Sequence, residues 1–74
     1  MDASEWLAAY ADRLGTEAPT PEEIEAVLAL AGVAAHASER IAAPVACWIA
    51  ARAGVPLEGA MRAAREVAAG DTDG

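Results

Sequence analysis

The apolar positions of this chain recur at helical spacing over most of its length. Trp6, Leu7, Tyr10, Ala11 and Leu14 stand at i, i+1, i+4, i+5 and i+8, one side of a helix, while Glu5, Asp12 and Arg13 take the other. A first helix is therefore expected from about Ala3 to Leu14, with Asp2 as N-cap, Gly15 as stop, and Trp6 and Tyr10 in the core. Thr16 to Pro19 reads as a linker. Thr20-Pro21-Glu22-Glu23 is a strong helix start, because Thr caps, Pro suits the first helical position and Glu at the third can reach back. The second helix continues to about Ser38. Its main stripe is Ile24, Val27, Leu28, Ala31, Ala34, Ala35 and Ser38, with Leu30 widening it to one side. On the opposite arc Ala29 and Gly32 are too small to hold a neighbour away, which leaves His36 in the crevice of a close approach.

Pro44 lacks an N–H and disfavours helical geometry at Ala43, so the chain is expected to bend or restart near residues 40–43. A third, short helix then covers roughly Ala42 to Ala53, burying Val45, Trp48 and Ile49, and Gly54 ends it. Pro56 opens a fourth helix, whose stripe is Leu57, Met61, Ala64 and Val67 or Ala68, and Gly70 closes it. No strand pattern or internal repeat is visible. The expected fold class is all-α: a compact bundle of about four short helices, one domain over residues 1–70, followed by a flexible acidic tail at 71–74.

Composition narrows the picture. A single Cys and a single His in 74 residues permit neither an internal disulfide nor a zinc set, so no staple and no metal are expected. Alanine favours helices but buries little area per residue, and the large apolar side chains are few. Such a core is marginal at this size, and a homodimer or a protein partner to lean on follows as an expectation. Twelve acidic residues against five Arg, for a net charge of −7, repel phosphate backbones and anionic lipid, so neither nucleic-acid nor membrane binding is expected. No apolar run is long enough to span a bilayer and the start is acidic where an export signal is basic, which points to the cytoplasm.

Whatever specific chemistry the chain carries is expected in residues 35–49. His36, Arg40 and Pro44 step by four, so an unbroken helix would stack them on one side. If the helix breaks at Arg40, His36 and Arg40 flank a corner beside the first amides of helix three, a setting for an anion such as a phosphate, nucleotide or pterin. The plainer reading has Arg40 holding the last carbonyls of helix two and His36 satisfying a loop carbonyl. Cys47, between Ala46 and Trp48, reads as a small core hydrophobe rather than a nucleophile. The hydroxyls sit in no nucleophile elbow, and no phosphate loop or catalytic constellation can be assembled. The chain is expected to be non-enzymatic and to use no cofactor.

The run His36-Ala-Ser-Glu-Arg40-Ile-Ala-Ala-Pro44-Val, the Trp6-Leu7 opening and the small-residue end Ala50 to Gly54 resemble a family of small α-helical domains of undefined function. The family is actinobacterial. Its members stand alone or form a C-terminal extension of molybdenum-cofactor guanylyltransferases. Where the family pattern has Pro directly after the Arg, this chain has Ile41. The resemblance implies a context in molybdenum-cofactor assembly with such an enzyme as partner, and it assigns no catalytic residue. A helical accessory domain binding a protein through His36, Arg40 or Trp48 is the leading expectation. An anion-binding module at the His36–Arg40 corner and a structural homodimer are the alternatives.

Overall fold

A computed structural model describes residues 1–73, with side-chain surroundings for residues 1–70. Its four helices are α1 (Ala3–Leu14), α2 (Pro21–Ala37), α3 (Ala42–Ala53) and α4 (Leu57–Asp73). The all-α fold class is as expected, and the first three helices begin where the sequence places them.

The signals that set these ends are local. Asp2 accepts from the Glu5 amide at 2.8 Å while the Glu5 carboxylate accepts from the Asp2 amide at 3.0 Å. Thr20 and Glu23 form the same reciprocal box at 3.1 and 2.8 Å, with Pro21 at the first helical position. Gly15 and Gly54 close α1 and α3 with φ of 78° and 73°, a left-handed conformation that costs any residue with a Cβ. At α1 the Gly15 amide donates to the Asp12 carbonyl and the Thr16 amide to that of Ala11, which satisfies two terminal acceptors. Two boundaries differ from expectation. Pro56 precedes α4 rather than opening it, its carbonyl accepting from the Ala60 amide at 2.9 Å. Gly70 does not stop α4, which runs on to Asp73. The expected fraying of the tail concerns Gly74 and the side chains of residues 71–73, which lie outside the described residues.

Before Pro44 the chain restarts rather than bends: α2 and α3 are separate. Ser38 leaves helical geometry at φ −138°, ψ −106°, and residues 38–41 make the connection. Pro44 then falls in the first turn of α3, where a missing N–H removes no intrahelical bond.

α2 is the central element, packed against both α3 and α4. The side chains deepest inside are Ala11, Leu30 and Ala60. Leu30, at 3% exposure, is a main core residue rather than the margin of a stripe, whereas Leu28 is 65% exposed. The reason is that α2 serves two neighbours. Its inner arc is turned to put Leu30, Val27 and Ala34 inward, and Leu28 lies outside that arc. α3 offers one face of small, partly buried residues, Ala42, Ala43, Ala46, Cys47 and Ala50. The Cys47 thiol points at the Val27 carbonyl at 3.9 Å, which ties α3 to α2 and agrees with a packing role for this side chain. On α4 the partly buried stripe is Leu57, Met61, Ala64 and Ala68, with Val67 turned out.

Several aromatic and aliphatic residues expected inside are outside. Trp6 and Tyr10 stack on each other at 5.1 Å between ring centroids but stay about half exposed. Val45, Trp48 and Ile49 are all exposed, so α3 buries none of the three. It packs on α2 through alanines instead, because small side chains let the two backbones come close. Nor does a neighbour cover Ala29 and Gly32. Nothing lies within 4 Å of a Cβ built at Gly32, and His36 is exposed rather than held in a crevice.

Candidate functional site

His36 projects from the last turn of α2, Arg40 from the connection and Trp48 from α3, and all three are exposed. Among the described residues no hydrogen bond or ion pair joins His36 to Arg40, and neither side chain satisfies a carbonyl, so neither takes the capping role expected of it. The amides that would complete an anion corner are already engaged. Ala42 donates to the Glu39 carbonyl at 2.9 Å and Ala43 to that of Arg40 at 3.1 Å, and Pro44 has no amide. The first three positions of α3 therefore present no free donor to a ligand. What remains at the corner is one imidazole and one guanidinium, both in solvent.

Trp48 has a different setting. The Arg52 guanidinium carbon lies 4.4 Å from the centroid of its ring, one helical turn further on. The pair occupies the outer side of α3, opposite the alanine face that meets α2. Arg52 was not singled out in the sequence, although its i,i+4 spacing from Trp48 was the available signal. A tryptophan still 59% exposed beneath a planar cation joins a large apolar surface to a fixed positive charge. Trp and Arg are the residue types that carry most binding energy at protein interfaces.

A second feature is a groove of about 520 Å³ between α2, α3 and α4. Leu30 forms part of its floor, Ala34, Ala46 and Ala63 line it, and Ile49 and Val67 stand on its edges. Ser38 is the sole polar side chain among its lining residues. Such a surface offers shape and apolar area but no acid, base or nucleophile. Among the described residues no group of three or more His, Cys, Asp or Glu could hold a metal ion, and no helix is long and apolar enough to cross a membrane.

No curated protein and no solved structure gives a match to this chain. A family model does, over residues 1–73, nearly the whole length. Its description, a domain of unknown function, agrees with the resemblance at that level, and the chain belongs to this family, DUF6457.

Proposed function

We propose that this is a non-catalytic helical docking domain that binds a protein partner through the outer face of α3. The observation that carries the reading is the Trp48–Arg52 pair, an exposed indole with a guanidinium stacked on it. An isolated exposed indole is unremarkable. One held in a fixed orientation by a cation is a preordered anchor, which loses less side-chain entropy on binding. Although the chain carries a net charge of −7, α3 has Arg52 and no acidic residue, so the partner surface is apolar with a carboxylate placed to meet it.

For the partner, the resemblance to domains attached to molybdenum-cofactor guanylyltransferases supports an enzyme of that class, with the domain acting in the cytoplasm as an accessory to cofactor assembly. The anion-binding alternative at His36 and Arg40 has less support, since the amides beside them are engaged.

Isothermal titration of the purified domain against a purified molybdenum-cofactor guanylyltransferase tests this. Wild type should bind, and Trp48→Ala and Arg52→Ala should each weaken binding at least tenfold with helicity unchanged. Absence of binding by wild type contradicts this choice of partner. Binding that ignores both substitutions moves the contact away from α3.

A further inference from the structure

We infer that the groove between α2, α3 and α4 is filled by α1 of a second copy of this chain, reciprocally, in a closed homodimer. The inference rests on the docking reading above and names the occupant of a different surface, leaving the Trp48 face to the other partner.

Area is the first argument. The chain exposes 5848 Å². A folded monomer of its mass, 7.5 kDa, exposes roughly 4,200 Å² on the usual size scaling. The excess is about 1,600 Å² per copy, and obligate homodimers bury about 1,000–2,500 Å² on each side. The chain carries the surplus surface that such a dimer removes from water.

Shape gives the second argument and selects the occupant. Trp6, Tyr10 and Leu14 step by four along α1 and are all exposed, while Leu7 and Ala11 beside them face inward. α1 therefore presents a ridge of large side chains on the side away from Leu7 and Ala11. That ridge is about 12 Å long, eight residues of helical rise. The groove runs beside α4 from Ala60 to Val67, about 10 Å by the same rise, and it is lined with alanines. Large residues on one element thus meet small ones on the other. Two grooves placed face to face would leave both unfilled.

Charge supplies the third. Residues 1–20 carry four acidic side chains, Asp2, Glu5, Asp12 and Glu17, against Arg13. α3 carries Arg52 and no acidic side chain, while α4 carries Arg62 and Arg65 against Glu58, Glu66, Asp71 and Asp73. Acidic α1 therefore meets no like charge on the α3 side of the groove of another copy, whereas α1 against α1 is repelled.

Sedimentation velocity from micromolar to millimolar concentration tests the inference on wild type, on a stripe variant (Trp6→Ala with Tyr10→Ala) and on a groove variant (Ala63→Arg). Circular dichroism checks that helicity is kept. Wild type should be a dimer, and each variant should raise its dissociation constant at least tenfold. An equimolar mixture of the two variants should associate more tightly than either alone, because one intact stripe then meets one intact groove. If Ala63→Arg does not fold, Ala53→Arg at another point of the groove takes its place. A wild-type monomer throughout, or a dimer indifferent to both variants, overturns the inference. A monomer that still binds the guanylyltransferase through Trp48 overturns it while leaving the docking function standing.

Discussion

At Gly32 the α2 backbone is helical, φ is not positive, and a Cβ would meet nothing within 4 Å. Gly32→Ala should therefore raise stability by about 0.5–1 kcal/mol, since the unfolded chain loses freedom and no contact is disturbed. The urea midpoint reads this directly, and a lowered midpoint would mean that this face is not open. Leu30 is the opposite case. It is the largest of the three buried side chains, and Leu30→Ala should cost about 2–5 kcal/mol. Domains of this length are stable by only about 4–11 kcal/mol in all. The variant should lose cooperative unfolding or show a midpoint far below wild type, and an unchanged midpoint would show that Leu30 is not the core. Trp48 and Arg52 sit outside that core, so Trp48→Ala should change stability by less than about 1 kcal/mol. This is why their substitution can report on binding.

The elements were legible in the sequence because their ends are fixed by local chemistry. Asp2 with Glu5, Thr20 with Pro21 and Glu23, and the glycines at 15 and 54 each act within a few residues, whatever the rest of the chain does. Thr20→Ala should accordingly cost about 1 kcal/mol, read as a lowered denaturation midpoint, and Thr20→Asn should be nearly neutral. No change on Thr20→Ala would mean that packing alone holds the start of α2. Which face of each helix turns inward was much less legible. α2 and α3 are apolar around most of their circumference, so their periodicity does not select an inner side. Side-chain size alone would put Trp48, Ile49 and Val45 inside. Close approach between α2 and α3 favours alanine at the contact and turns the large residues out. The candidate site suffered the same way. Trp48 was in view as a residue, but Arg52 becomes part of its setting only once α3 is known to present this side to solvent. The corner at His36 and Arg40 depended on free amides, and hydrogen bonds to Glu39 and Arg40 use them.

For the molecule as a whole, the decisive quantity is how little the chain covers on its own. It extends 43 Å along its long axis and, among the described residues, buries three well, while Trp6, Tyr10, Leu14, Ile49 and Val67 remain about half exposed or more. The sequence signalled this shortfall through its sparse large apolar residues, and the structure locates the uncovered surface on the α1 stripe, the groove and the outer side of α3. Covering that surface with protein is the central claim, and the coverage adds stability only when the complex forms. Thermal unfolding over a hundredfold range of chain concentration tests this most directly. The midpoint should rise with concentration, as it must when folding is linked to association. A cooperative transition whose midpoint stays fixed across that range would contradict self-association, showing that this chain is stable without a second copy of itself.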